Sequence, residues 1–237
     1  MSFSPNGPSR RNLLSLLAGW AASVAKAEPL RRIEPPRRSN LDPGLTNLLA
    51  RMSTGVKARN YAALESLMLP TFRVEFDAGK GPVAFHRYWK PQSRDSQLWE
   101  ILGRLLSMPG SAYSETLYAV SYVYARFPFD LDPLRHVVAT GDSVDLLAEP
   151  SREARKVGAL DYSIVPLAKP MEPPVVISPG QFLELAHPEF GPCFVNSSDV
   201  YHPSAHRAFF EKRQGRWYWI SLAAATFADP PVVPRPS

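Results

Sequence analysis

The side chains best suited to moving protons gather between residues 77 and 88. Asp77 closes an alternating stretch, and His86 and Tyr88 follow on a short helical run. A carboxylate, an imidazole and a phenol within reach of one another are the ordinary parts of general acid–base catalysis. Against that stands a structural His–Tyr pair beneath a sheet, the reading the sequence favours. Histidines also stand at 136, 187, 202 and 206. His202 and His206 are four apart, but Pro203 breaks any helix between them, so the two-His-plus-Glu spacing of a zinc hydrolase is absent. There is no G-x-S-x-G elbow and no peptidase-like Cys–His arrangement. Cys193, the single cysteine, has no partner for a disulfide or a redox motif and reads as a small buried apolar side chain in a strand. The run Ala78-Gly79-Lys80-Gly81 lacks the spacing of a phosphate loop and is a turn. No metal site and no cofactor motif is expected.

Composition narrows the class. An apolar share of 45% and a charged share of 21% suit a globular chain of one or two domains and exclude wholesale disorder. The 25 prolines carry no period and mark linkers and loops. The formal charge of +5 is misleading, because Arg10, Arg11 and Lys26 lie in a leading segment with no acid. Removing those three from 27 leaves 24 basic residues against 22 acidic. A nearly neutral body lacks the basic face that phosphate contacts require, so nucleic acid is not an expected partner. Arg31, Arg32, Arg37 and Arg38 lie among prolines with Glu28 and Glu34 and read as a solvated linker.

The elements that must position these groups follow from the periods. Asp42-Pro43 reads as a helix cap with proline in the first turn, followed by Leu45, Leu48, Leu49, Met52 and Val56 at helical spacing. Asn60 caps a second helix with Leu64, Leu67 and Met68, stopped by Pro70. Phe72, Val74 and Phe76 alternate with Arg73 and Glu75, as in a half-buried strand. Residues 82–89 and 96–108 are expected as helices, the latter with Leu98, Ile101, Leu102 and Leu105 inward. Residues 116–125 are expected as one long strand, with Tyr118, Tyr122 and Tyr124, and Tyr113 before it, mostly on one side. Helices laid on one face of a sheet make an α+β layer. From residue 137 the texture changes to short strands at 137–138, 144–147, 157–160, 164–167, 182–185 and 193–195, which suggest a small barrel. Residues 207–213 and 216–224 form a hairpin across Gln214-Gly215, with Phe210 facing Trp219 and Phe209 facing Ile220.

Three resemblances extend this reading. Ser9-Arg10-Arg11-Asn12-Leu13-Leu14 resembles the twin-arginine export consensus. An apolar stretch at 13–24 follows, too short for a bilayer span of roughly 20 residues. Ala25-Lys26-Ala27 then offers a cleavage site after Ala27. This implies a periplasmic protein exported folded, with no stable membrane span in its mature form. Val144-Asp145-Leu146-Leu147-Ala148-Glu149-Pro150-Ser151, Lys156-Val157-Gly158-Ala159-Leu160, Phe182-Leu183-Glu184-Leu185 and Gly191-Pro192-Cys193-Phe194-Val195 resemble the strands of bacterial SH3-like (SH3b) domains. The resemblance implies ligand contacts at Asp145, Leu147, Glu149, Phe182 and Phe194, with peptidoglycan or an envelope protein as partner. Glu149 stands where that family has glycine, Leu147 where it has arginine and Phe182 where it has tryptophan. The hairpin around Phe210-Glu211-Lys212-Arg213-Gln214-Gly215-Arg216-Trp217 resembles the closing hairpin of nuclear-transport-factor-like, cone-shaped α+β domains.

The expected organisation is therefore a twin-arginine signal at 1–27 and a proline- and arginine-rich linker at 28–41. An α+β domain at 42–128 and an SH3-like barrel at 129–203 follow. A hairpin at 204–226 completes either the α+β domain or the barrel, before a flexible tail at 227–237. The expected function is that of an exported non-enzymatic binding protein. The alternative is a cavity enzyme of the cone-shaped fold using Asp77 and His86.

Overall fold

The computed structural model describes residues 29–37, 41–75, 78–173, 175 and 177–224. The export signal with Arg10, Arg11 and Ala27, the expected tail at 227–237, Phe76 and Asp77 lie outside the described residues.

Helix α1 (Pro43–Lys57) starts where Asp42 accepts hydrogen bonds from the Gly44 and Leu45 N–H groups, and buries Leu45, Leu48, Met52 and Val56. Asn60 caps the short α2 (Tyr61–Glu65) through the Ala63 N–H. Strand β1 (Met68–Val74), α3 (Gly81–Trp89) and α4 (Leu98–Ser107) follow. Chain order then runs β2 (Ser111–Ala112), β3 (Leu117–Val120) and α5 (Tyr122–Arg126). The expected long strand at 116–125 therefore breaks after residue 120, where the Tyr122 N–H bonds the Pro109 carbonyl. Even spacing misled here, because positions four apart share a face of a helix as well as of a strand. Tyr118 and Tyr122 enter the main core, whereas Tyr113 and Tyr124 pack with Phe209 in a separate cluster.

Strands β4 (His136–Ala139), β5 (Val144–Leu147), β6 (Lys156–Leu160), β7 (Ile164–Pro166), β8 (Phe182–His187), β9 (Gly191–Asn196) and β10 (Val200–Tyr201) come next. They form a three-stranded sheet, β10-β4-β7, and a four-stranded sheet, β6-β5-β9-β8. The two sheets share an apolar core containing Leu146, Val165, Leu185, Cys193 and Val195, and a bridge between Leu167 and Leu185, with the Ala168 N–H on the Glu184 carbonyl, links their edges. Neither sheet closes into the barrel expected at 129–203. Strand β10 is two residues long, and the chain leaves it at Pro203 for another sheet, so the edge at β6 finds no partner there.

Strands β11 (Arg207–Arg213) and β12 (Arg216–Ala223) turn at Gln214 and Gly215, both at positive φ. They complete a five-stranded sheet in the order β1-β12-β11-β3-β2, with β1 parallel to β12. Phe210 does face Trp219, but an irregularity after Phe209 sets Phe209 opposite Ser221 rather than Ile220. Helices α1, α3 and α4 bury their apolar stripes against this sheet, around Phe72, Phe85, Phe210 and Trp219.

In the arginine-rich segment Arg31 and Arg32 stay about half exposed, but the backbone around them is tied down. Arg32 bridges Ser163, the Ile33 N–H bonds the Tyr162 carbonyl, and Ile33 is 5% exposed within the main core. Arg31 grips Asp130 through two hydrogen bonds of 2.8 and 2.6 Å, and Arg32 lies 2.8 Å from Asp161.

Candidate functional site

Of the three acid–base residues expected together, two are placed and they diverge. His86 packs edge-on against the Tyr61 ring at 5.0 Å. Tyr88, two residues on along α3, contacts the Trp89 ring instead and is 39% exposed. Burial, with the nearby Glu75 charge, raises the Tyr88 phenol above its ordinary range. The sheet interior beside α3 is occupied by Phe72, Phe85 and Trp219 in edge-to-face contact.

The expected ligand residues fare differently. Leu147 and Phe194 are cross-strand partners on β5 and β9, and Glu184 on β8 also pairs with Phe194. Cys193, Val195, Leu183 and Leu185 point into the core, so alternation sends Phe194, Phe182 and Glu184 to the outward face. Both phenylalanines are half-buried there. Asp145 shares the face and pairs with Lys156 at 2.7 Å. Glu149 is exposed just beyond the end of β5. Asp145, Phe182 and Phe194 thus share one accessible surface, whereas Leu147, though it pairs with Phe194, is buried at 6% exposure and Glu149 lies on the adjoining turn.

A second arrangement had no signal in the sequence. Glu75, expected to face solvent, is 3% exposed just after β1. Its Oε1 accepts the Ala224 N–H at 2.7 Å, and its Oε2 lies 3.3 Å from His206 Nε2. Arg207, also buried, lies over the Tyr124 ring at 4.1 Å, and desolvation lowers its pKa against the pull of neighbouring tyrosines and Glu75. His206 lines a cleft of about 120 Å³ between α4, Val175 with residues 177–179, and residues 201–206. His202, fully buried in the same wall, accepts the Ser204 N–H at Nδ1, which puts the proton of its neutral ring on Nε2. Among the described residues that Nε2 has no hydrogen-bond partner. Desolvation brings the His202 pKa down to about 4, so the ring is neutral at pH 7. Glu75 and His206 are 131 positions apart, a separation no local pattern reports.

No family model matches the chain, and no curated protein matches it. Among solved structures, one described as a calcium/calmodulin-dependent protein kinase II association domain from Xanthomonas campestris aligns over 84% of this chain and 100% of its own, at 8% identity and a TM-score of 0.29. An NTF2-like protein with a cystatin-like fold from Novosphingobium aromaticivorans covers 80% of this chain and 84% of its own, at 9% identity and a TM-score of 0.27. A protein of unknown function from Mycobacterium tuberculosis covers 78% and 73%, at 12% identity and a TM-score of 0.22. Likeness at this level carries no argument about activity.

Proposed function

We propose that this chain is an exported, non-enzymatic binding protein that recognises a peptide, a cell-wall fragment or an envelope protein. The observation that carries the reading is the outward face of the four-stranded sheet, where Phe182 and Phe194 lie beside Asp145 and Glu184, with Leu147 buried beneath them. Half-buried aromatics offer a partner apolar area at little conformational cost, and the flanking carboxylates and lysine supply orientation. The SH3-like identity of the β-rich region and the twin-arginine route of Arg10 and Arg11 belong to this proposal, as does membership of the helical layer in the cone-shaped group. The cavity-enzyme alternative has less support, because His86 packs on Tyr61 and three rings fill the space beside it.

The test is co-sedimentation of the purified protein with peptidoglycan sacculi and with solubilised envelope proteins. Wild type is expected to enrich in one of the two, and the Phe182→Glu/Phe194→Glu pair to lose at least about tenfold of that enrichment while its circular dichroism is unchanged. Equal enrichment of the pair and wild type overturns the sheet face as the contact. Export is read separately: Arg10→Lys with Arg11→Lys should leave the chain in the cytoplasm, and undiminished periplasmic recovery overturns the route.

A further inference from the structure

A cleft of about 240 Å³ opens between α1 and the start of β12. Gly44, Asn47, Leu48 and Arg51 recur at three- and four-residue spacing, so one face of α1 makes a bank. Residues 215–218 make the opposite bank. Leu48, Leu67 and Trp217 form the floor and are nearly covered, each offering the cleft only an edge. The indole packs so close to α1 that a Cβ on Gly44 would stand 3.3 Å from its Cδ1. The rim carries two exposed guanidinium groups on opposite banks, Arg51 from α1 and Arg216 from β12. Arg51 donates to the Ser66 hydroxyl at 3.3 Å, and that hydroxyl in turn donates to the Ala63 carbonyl. Arg216 lies over the Tyr218 ring at 5.2 Å. Neutral groups thus orient both cations and leave most of their N–H donors uncommitted. Among the described residues no carboxylate lines the cleft, and neither arginine forms an ion pair. The acids beside it in sequence have partners of their own: Asp42 meets Lys212 at 2.7 Å, and Glu211 meets Arg213 at 2.8 Å. Glu65, one residue before Ser66, is exposed and stands outside the lining.

We propose that this cleft binds a small organic phosphate, at a site separate from the outward sheet face. The phosphate lies between Arg51 and Arg216. Two guanidinium forks from opposite banks suit a group that carries close to two negative charges, since each fork can pair with two of its oxygens. Asn47 adds a neutral donor on the α1 bank. The organic remainder rests on the exposed edges of Leu48, Leu67 and Trp217, and the volume admits about one ring with its phosphate. Both arginines face water, so salt screens the pairing and the dissociation constant is on the order of 1 mM.

The experiment follows the Trp217 indole of the full chain by NMR, assigned with Trp217→Phe, during titration with phenyl phosphate, benzoate, inorganic phosphate and benzylamine. Phenyl phosphate is expected to shift the signal saturably, and added salt to weaken it. Benzoate lacks the second charge and inorganic phosphate lacks the ring, so each should bind about tenfold more weakly, and benzylamine should have no effect. Arg51→Gln combined with Arg216→Gln, both at exposed positions, should weaken phenyl phosphate at least about tenfold. Should that pair fail to fold, Asn47→Glu brings a carboxylate into the cleft near the start of α1, where a helix welcomes an acid, and should weaken binding by repulsion. The proposal is overturned if phenyl phosphate gives no saturable shift up to about 10 mM, a limit set by the weakest useful affinity. It is equally overturned if any of the other three probes matches phenyl phosphate, or if its affinity survives unchanged in the folded arginine pair or in Asn47→Glu.

Discussion

Around β12 the interior is built from interlocking rings, whereas behind β5 and β9 it holds aliphatic chains and one thiol. In the helical layer, Phe72, Phe85 and Trp219 meet pairwise edge to face at 5.1, 4.9 and 5.3 Å. In the β-rich region, Leu146, Val165, Leu185, Cys193 and Val195 fill a narrower space between two small sheets, and burial pushes the Cys193 thiol up. Rings that lock one another cannot be trimmed without leaving a hole. Short aliphatic chains repack more readily, and each sheet keeps a face turned outward. The difference places the rigid framework in one region and the proposed recognition surface on the other, with the titratable groups gathered at the seam.

Trp219→Ala should cost the most, about 4 kcal/mol, because a fully buried indole that also donates to the Ser221 carbonyl leaves both a void and two unsupported rings. Leu146→Ala, equally buried in the other core, should cost about 3 kcal/mol. Urea denaturation of both variants checks the order. A larger loss for Leu146→Ala would reverse the assignment of the framework.

Acid should act next, and at the seam. His202 titrates near its ordinary 6.5 when unfolded and at about 4 when folded, so between those values the unfolded chain takes up a proton that the native ring refuses. Its contribution is therefore complete above pH 6.5 and fades as pH falls, the loss reaching on the order of 3 kcal/mol by pH 4. His187, also lowered by burial, adds in the same direction. Asp42 and Asp130, held down chiefly by Lys212 and Arg31, keep their contributions until pH drops below their ordinary 3.8. His202→Asn retains an acceptor for the Ser204 N–H and cannot protonate, so its urea midpoint should be much flatter between pH 6.5 and 4.5. A wild-type slope surviving in that variant would move the pH dependence elsewhere.

Much of the β-rich region was legible because its strands are local: alternation over four to six residues marks β5, β6, β8 and β9 without reference to anything distant. The capped start of α1 and the turn at Gln214-Gly215 were readable for the same reason. The helical layer was harder. Its sheet depends on β1 lying parallel to β12, a pairing of Met68 with Trp219 that no local pattern carries. The same separation hid Glu75 from His206. At 31–33 the arginines are about half exposed, as their charge predicts, and it is the buried Ile33 after them, with no charge pattern to announce it, that anchors the segment. Ile33→Ala should cost about 2 kcal/mol in the same urea assay, and a negligible effect would return the segment to the role of a spacer.

The smallest expected effect probes how the β-rich core is sealed. Phe190, 40% exposed, stacks on His187 at 4.6 Å and lies over Gly158, where an added Cβ would stand 2.4 Å from the ring. Gly158→Ala must therefore push the ring aside, yet the ring is the free end of a turn residue and can yield, so the cost should be only about 1 kcal/mol. With the ring removed by Phe190→Ala, the obstruction disappears, and alanine should be as good as glycine in β6 or better, because glycine is the costlier residue to order in a strand. The two changes should then be strongly non-additive. A Gly158→Ala penalty that is the same with and without Phe190 would mean that the ring does not seal this core, and that the aliphatic region is held by its two sheets alone.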